Sequence, residues 1–288
     1  MTPDGSPGHA GKRRRGRRAW EWRRVALDGF VLEALQEGAG EAIVFPQTAL
    51  TADESLPLAK SAALRDGYRK VLYHRRGYGA SSPQHYPGSV ARDASDCLAL
   101  MDALAVTRAH VVGLSYSCAI ALQLASAAPD RVRSLTLIEP PPVHAANSDQ
   151  FREASERLLT VRGERGVHAA LEEFFAAALP GFAGEAGDAL PGAVEQMRRD
   201  AATFFDFDVP ALLSWDFGAE DAARTTCPVL YVRGSDSGQL FREVPAMVGR
   251  WFPRADQAII AGAGHSLALT HTDSVAAALG SFLSRQRT

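Results

Sequence analysis

Short runs of apolar residues alternate with longer segments of helical spacing along most of this chain, and this alternation limits the fold more than any other feature. Eight runs have the length and composition of strands: residues 20–27, 30–35, 42–45, 71–73, 110–113, 135–138, 229–232 and 258–260. Helical spacing follows several of them, as at 90–104 and 116–127. Strands that alternate with helices form a mostly parallel sheet with helices on both faces. The sequence therefore predicts an α/β fold built on one mostly parallel, eight-stranded sheet.

The alternation stops between Pro140 and Thr226. This stretch shows no convincing strand, and its apolar residues recur with helical spacing at 151–161, 167–178, 193–203 and 209–213. A run of three prolines at 140–142 marks a rigid exit, and Cys227-Pro228 marks the return. We therefore expect a core domain of residues 20–140 and 227–288, with a helical cap of residues 141–226 inserted into it.

The first nineteen residues differ from the rest in charge. They hold six of the 31 basic residues and only one of the 33 acidic residues, and they are rich in glycine and proline. Such a composition predicts a disordered basic tail. Charge alone would allow it to bind nucleic acid, but the remainder of the chain is acidic, and we expect no nucleic-acid partner.

Compartment and cofactor are constrained by what the sequence lacks. No apolar segment follows the arginines of the tail, and no run of eighteen apolar residues occurs, so we expect neither a signal peptide nor a membrane span. The three cysteines are scattered and have no zinc-binding spacing. These features predict a cytoplasmic protein that uses no metal and no cofactor.

A candidate nucleophile lies where the strand at 110–113 runs directly into a helix. Ser115 occupies this junction, and a sharp strand-to-helix turn strains the backbone and exposes the side chain. Residues two places away on each side must be small, and here they are Gly113 and Ser117. The amide of Tyr116, at the new helix N-terminus, would point to a developing oxyanion. The simpler interpretation is that Ser115 caps the helix.

Two further residues at strand ends could complete a catalytic group. His265 lies in the glycine-rich segment 261–266 after the last strand, where it could act as general base for Ser115. Asp236 follows the preceding strand and could orient His265. Each has an ordinary explanation, His265 as a surface residue and Asp236 as a turn residue.

Taken together, these segments resemble the α/β-hydrolase superfamily, in its single-cap branch of esterases, lactonases, epoxide hydrolases, dehalogenases and carbon–carbon bond hydrolases. The likeness covers roughly residues 25–285. Besides the turn at Ser115, the sequence HRRGYGASS at 74–82 looks like the family's D-x-R-G-x-G-x-S segment. APDRV at 128–132 and GAGH at 262–265 look like two further family motifs. The resemblance implies an α/β-hydrolase sheet, flanked by helices, with an inserted helical cap.

The loop after the strand at 42–45 departs from the family pattern. Pro46-Gln47 stands where the family usually has His-Gly, and the family's G-x-S-x-G ends here in Ser117. Proline has no N–H, so the resemblance implies that Thr48, or else Gln47, supplies the second oxyanion donor beside Tyr116.

The position of the acid departs as well. The family acid usually stands where this chain has Ser237, and Asp236 is one place early. Glu139 follows the strand after the nucleophile helix, a position that some relatives use for the acid. Of the two, Asp236 is the preferred candidate and Glu139 the alternative.

Serine at position 115 favours acyl transfer over the chemistry of epoxide hydrolases and haloalkane dehalogenases, which need a carboxylate nucleophile. Aromatic residues of the cap could line an apolar pocket, although each could equally pack the cap onto the core; the candidates are Phe174, Phe175, Phe204 and Trp215. We expect a serine hydrolase for an ester, lactone or related bond of a mainly apolar small molecule. The alternative is a non-hydrolytic member of the fold, namely a lyase, a cyclase, a cofactor-free biosynthetic enzyme or a ligand-binding pseudoenzyme. A homo-oligomer is compatible with the sequence.

Overall fold

The computed structural model describes residues 20–85 and 87–287. A single sheet of eight strands forms the centre of the molecule. The strands are β1 (Trp22–Leu27), β2 (Phe30–Gly38), β3 (Glu41–Pro46), β4 (Tyr68–His74), β5 (Ala109–Leu114), β6 (Val132–Ile138), β7 (Val229–Gly234) and β8 (Asp256–Ile260). Their order across the sheet is β1-β2-β4-β3-β5-β6-β7-β8. The pairs β1/β2 and β2/β4 are antiparallel and all other neighbours are parallel, which confirms the predicted fold class.

Twelve α-helices occur in the described part of the chain. They are α1 (Leu56–Lys60), α2 (Val90–Ala103), α3 (Tyr116–Ala127), α4 (Ser148–Arg165), α5 (Val167–Glu173), α6 (Phe182–Ala189), α7 (Ala193–Thr203), α8 (Val209–Leu213), α9 (Ala219–Ala223), α10 (Val244–Trp251), α11 (Leu267–Thr270) and α12 (Thr272–Ser284). Among these residues, no helix is both long enough and apolar enough to span a bilayer. The sequence patterns did not predict α6, α9, α10 or α11. The predicted tail at residues 1–19 lies outside the described residues.

Alternate side chains of the central strands pack on opposite faces of the sheet. Val44 and Val111 belong to a buried cluster with α2 and α3, whereas Ile43 and Val112 belong to a second cluster with α12. All four are at most 1% exposed. Burial of each such side chain stabilises the fold by about 1.5–3 kcal/mol. This explains why these runs are apolar on both sides instead of alternating with polar residues.

The segment between β6 and β7, residues 139–228, carries six helices, α4 to α9, and no strand. Two five-residue π-helical turns, Phe174–Ala178 and Phe204–Asp208, follow α5 and α7. This helical insertion has its own apolar cluster, which also includes Leu50 from the loop after β3 and Leu269 from α11. The insertion therefore packs against loops at the carboxyl ends of β3 and β8.

Candidate active site

The turn that carries Ser115 has a strained backbone. Ser115 lies between β5 and α3 with φ 49° and ψ −120°, a region that residues other than glycine rarely occupy. Its backbone N–H donates a hydrogen bond to the Ile138 carbonyl at 2.9 Å, which ties the turn to the neighbouring strand β6. Such strain persists only where the surroundings enforce it, and it is common at catalytic residues.

The two small residues around Ser115 are required by close packing. A Cβ atom at Gly113 would lie 2.7 Å from the Ser117 carbonyl oxygen and from the Cα of Cys118, so no larger residue fits without a backbone shift. Ser117 is fully buried, and its hydroxyl donates to the Leu114 carbonyl (3.0 Å) and accepts from the Leu114 N–H (2.9 Å). Serine in place of the usual glycine is thus accommodated, because its hydroxyl is satisfied within the turn.

His265 lies in the loop between β8 and α11 and contacts Ser115 and Glu139. Its Nε2 is 3.1 Å from the Ser115 Oγ, and its Nδ1 is 3.3 Å from the Glu139 Oε2. The imidazole is stacked on the ring of Phe241, with a centroid distance of 4.3 Å and an interplanar angle of 23°. These contacts fix the ring between a hydroxyl and a carboxylate.

The carboxylate beside the imidazole is that of Glu139, the alternative candidate. Glu139 follows β6 with φ 51°, and its side chain is 2% exposed. Its Oε1 accepts hydrogen bonds from the Gly234 N–H and from the Ser237 hydroxyl, each at 2.7 Å. Two donors thus hold the Oε1 of Glu139, and its Oε2 faces His265.

Asp236, the preferred candidate, does not contact His265. It is exposed, and its backbone N–H donates to the Ala263 carbonyl at 2.9 Å. Within residues 20–85 and 87–287, its side chain forms no hydrogen bond or ion pair. The preference for Asp236 over Glu139 therefore disagrees with the structure, because the backbone of the 234–237 turn leaves Asp236 on the outside of the site.

The buried side chain of Arg75 holds the loop after β3. Arg75 Nε donates to the Gln47 carbonyl at 3.1 Å, and the Arg75 backbone N–H donates to the Gln47 Oε1 at 2.8 Å. The N–H and C=O of a trans peptide point in opposite directions, so the Thr48 N–H is directed away from Arg75. Thr48 and Tyr116 line the same cavity as Ser115 and His265, whereas Gln47 does not.

Arg75 also connects the core to the helical insertion. Its guanidinium donates to Asp93 of α2 at 3.0 Å and to both oxygens of Asp208 at 2.8 and 2.9 Å. Tyr116 donates its hydroxyl to Asp93 at 2.8 Å. Burial raises the pKa of Asp93 to about 6, against the opposing effect of the Arg75 charge. Arg75 appeared in the sequence only as a variable position of a motif, so its role was not predicted.

The cavity above Ser115 is lined mainly by apolar side chains. Phe174 and Phe204 line it, as predicted, together with Phe151, Leu158, Phe182, Val209, Leu212, Leu240 and Phe241. The predictions for Phe175 and Trp215 are wrong, since neither lines this cavity. Trp215 is buried in the core cluster below the insertion, where its indole N–H donates to the Gln123 Oε1 at 3.0 Å. Glu54, which the sequence analysis did not single out, is an acidic residue of the cavity wall.

The family of this chain is shown by its match to a protein-family model. The family model for the α/β hydrolase fold matches residues 51–272, which is most of the chain. The chain belongs to the α/β-hydrolase superfamily. Among curated relatives, a Caulobacter protein named as a carbamate hydrolase, RutD, is 28% identical over 226 residues, covering 77% of this chain and 83% of the relative.

Other curated matches are partial. The chain spans only 29% of a RutD protein from Azorhizobium caulinodans, at 40% identity, and 41% of an epoxide hydrolase from Caballeronia sordidicola, at 30% identity.

Solved structures superpose over almost the whole chain. The enol-lactonase from Burkholderia xenovorans LB400 has a TM-score of 0.73 at 20% identity, covering 91% of this chain and all (100%) of the other. A thermophilic esterase from Thermogutta terrifontis has a TM-score of 0.74 at 19% identity, covering 93% and 100%. At these identities the likeness shows the fold that is shared and leaves the substrate open.

Proposed function

We propose that this α/β hydrolase is a serine hydrolase that cleaves an ester, lactone or related carbonyl bond of a mainly apolar small molecule. The observation that carries the proposal is the chain of contacts from the Ser115 Oγ to the His265 Nε2 (3.1 Å) and from the His265 Nδ1 to Glu139 (3.3 Å). A hydroxyl, an imidazole and a carboxylate in this order form an activated nucleophile.

The first half-reaction makes an acyl-enzyme. His265 takes the proton of Ser115 at Nε2 while the Oγ attacks the substrate carbonyl carbon. Glu139 keeps the other proton on Nδ1 and stabilises the imidazolium that forms. His265 then donates its proton to the leaving oxygen or nitrogen. In the second half-reaction, His265 takes a proton from water, which attacks the acyl carbon. His265 then returns this proton to the Ser115 Oγ as the bond to the acyl carbon breaks and the acid is released.

The negative oxygen of each tetrahedral intermediate needs two donors. We assign the backbone N–H groups of Tyr116 and Thr48, because both residues line the cavity beside Ser115. The carbonyl of Gln47 is engaged by Arg75, which holds the Thr48 N–H on the opposite side, toward the substrate. We infer that Arg75 is a positioning residue for this donor.

Two observations support the proposed class of substrate. Serine in place of aspartate at position 115 is suited to acyl transfer and cannot form the alkyl-ester intermediate of an epoxide hydrolase. Carbamates, esters and enol-lactones, which appear in the names of similar proteins, are all carbonyl compounds. The helical insertion supplies most of the apolar wall, and in this proposal it acts as a cap over the substrate.

The proposal is tested by labelling with a fluorophosphonate probe and locating the adduct by mass spectrometry. We expect labelling of the wild type on Ser115, none in Ser115→Ala, and retained labelling in Ser117→Gly, whose lost hydroxyl is bonded only within the turn. Aryl esters and lactones of increasing chain length, assayed beside Ser115→Ala, then measure turnover. A folded wild type that neither labels nor turns over any of them would instead favour a non-hydrolytic role.

A further inference from the structure

One acidic side chain in the cavity has no hydrogen-bond or ion-pair partner among residues 20–85 and 87–287. Glu54 lines the same cavity as Ser115 and His265, and the residue is only 5% exposed. Within the described ranges, its carboxyl group forms no hydrogen bond or ion pair. Buried polar groups in native proteins are nearly always paired, and an unpaired buried charge is strongly unfavourable. A carboxyl group kept in such a position is therefore suited to a partner that arrives with the substrate.

The backbone near Glu54 is held by hydrogen bonds to both the core and the helical insertion. The Leu50 N–H donates to the Tyr78 hydroxyl at 2.9 Å, and the Ala52 N–H donates to the Gln196 Oε1 of α7 at 3.0 Å. Asp53 Oδ1 lies 3.2 Å from the His74 Nε2. These contacts place Glu54 in the cavity before any ligand binds, and such preorganisation is typical of binding residues.

The charges around the cavity indicate which ligand group would suit Glu54. No lysine or arginine is among the described residues that line the cavity, and its other acidic residue, Asp208, is already paired with Arg75. An anionic substrate group would therefore find no cation there. Burial raises the pKa of Glu54 to about 7, while His265 acts in the opposite direction. A cationic ligand group would favour the ionised carboxylate and form a charge-assisted hydrogen bond with it.

We propose that Glu54 determines specificity in this cavity by binding a protonated amine on an otherwise apolar carbonyl substrate. The ammonium group donates to the Glu54 carboxylate while the carbonyl carbon lies at the Ser115 Oγ. This inference rests on the proposed hydrolase function of Ser115. It differs from a role in which Glu54 acts on His265, because that role would affect every substrate equally.

Binding can be measured without turnover in the Ser115→Ala variant. Hexylamine, hexan-1-ol and hexanoate have similar size and differ in charge, and their Kd values at pH 8 can be compared by calorimetry. We expect hexylamine to bind about 10 to 100 times more tightly than hexan-1-ol, and hexanoate to bind most weakly. Adding Glu54→Gln should remove the preference for the amine, whereas Glu220→Gln, a matched change at an exposed residue of α9, should retain it.

Turnover gives the second readout. The 4-nitrophenyl esters of 6-aminohexanoate and heptanoate differ in one terminal group. We expect Glu54→Gln to lower kcat/KM for the amino ester by about 10 to 100 times and to leave the heptanoate ester nearly unchanged. Equal loss on both esters, or equal affinity for amine and alcohol, would overturn the assignment of Glu54. Full esterase activity in Ser115→Ala would instead refute the nucleophile, and the binding experiment would still report on Glu54.

Discussion

Replacement of Glu139 by glutamine exchanges one carboxylate oxygen for an amide nitrogen and should reverse the proton arrangement of His265. The Glu139 Oε1 accepts from two donors, the Gly234 N–H and the Ser237 hydroxyl, both at 2.7 Å. The amide oxygen of the variant will therefore occupy this position, and its NH₂ group will face the His265 Nδ1. The Nδ1 must then act as an acceptor, and the ring proton moves to Nε2, where it prevents His265 from deprotonating Ser115.

The size of the effect follows from this change of tautomer. The same exchange in a Ser-His-Asp site lowers kcat by about 10⁴, and each tenfold loss corresponds to about 1.4 kcal/mol of transition-state stabilisation. The contact between Glu139 and His265 is 3.3 Å, longer than the roughly 2.7–2.9 Å of a strong charge-assisted hydrogen bond. We therefore expect Glu139→Gln to lower kcat by about 10³ to 10⁴, at the lower end if the contact does not shorten with substrate bound.

The assay is the steady-state hydrolysis of an aryl ester by Glu139→Gln, with Asp236→Asn as the matched control. Asp236 is exposed and its side chain does not contact His265, so the control should retain activity within about twofold. Circular dichroism and thermal unfolding of both variants check that the fold is retained. A loss below tenfold in a folded Glu139→Gln, or a larger loss in Asp236→Asn, would refute the assignment of the acid.

Three further substitutions test the surroundings of the site. Gly113→Ala should destabilise the protein by about 1–3 kcal/mol in thermal unfolding, because the added Cβ meets backbone atoms of the next helix at 2.7 Å; an unchanged Tm would contradict the packing argument. Arg75→Met leaves Asp93 and Asp208 buried without their cation and should lower the free energy of unfolding in urea by about 3–5 kcal/mol, together with kcat; wild-type stability would contradict the ion-pair assignment. Glu54→Gln should be more stable than the wild type by up to about 3 kcal/mol at pH 8 and equally stable near pH 4.5. The reason is that burial raises the pKa of Glu54 from 4.5 to about 7 in the folded state, so the wild type loses stability as the pH rises through 7 and the carboxyl group ionises. A pH-independent difference between the two proteins would count against the burial of this carboxyl group.

Apolar patterning was sufficient to predict the sheet. Runs such as Val111-Val112 are buried on both faces, so they are apolar throughout and distinct from the helices between them. The positions of Ser115 and His265 also followed from the sequence, since each comes directly after a strand and the carboxyl ends of parallel strands meet at one edge of the sheet. Short loops at this edge are then sufficient to bring the two side chains into contact.

Pocket residues were harder to predict because π-helical turns interrupt the α-helical spacing of the insertion. Phe174 and Phe175 are adjacent in the sequence, and both begin a π-helical turn that changes which face of the helix points to the cavity. Only Phe174 lines it. Trp215 follows α8 within the insertion, but its side chain belongs to the core cluster that includes residues of α2 and α3, so its indole packs away from the cavity. Composition identified an apolar cavity but could not assign its members.

The acid was ambiguous because two carboxylates follow neighbouring strands. Spacing favoured Asp236, which is one residue from the usual position, but the orientation of a side chain at a strand end depends on local backbone dihedrals that spacing does not reveal. Glu139 adopts φ 51°. The informative residue was Ser237: it stands where the family has its acid, and its hydroxyl donates to Glu139. A hydrogen-bond donor at the usual position of the acid supports the proposal that Glu139 is the acid.

The unusual Pro46-Gln47 segment can be explained in the same way, by a second residue that compensates for the change. Without the family's glycine, the loop needs another means of holding the Thr48 N–H toward the substrate. In the proposed mechanism Arg75 supplies it, since it donates to both the side-chain and the main-chain oxygen of Gln47. Because the same guanidinium binds Asp208 of the helical insertion, a displacement of the insertion would also disturb the oxyanion donor. Substrates that order the insertion should therefore be turned over with a higher kcat, in addition to a lower KM, than those too short to reach it.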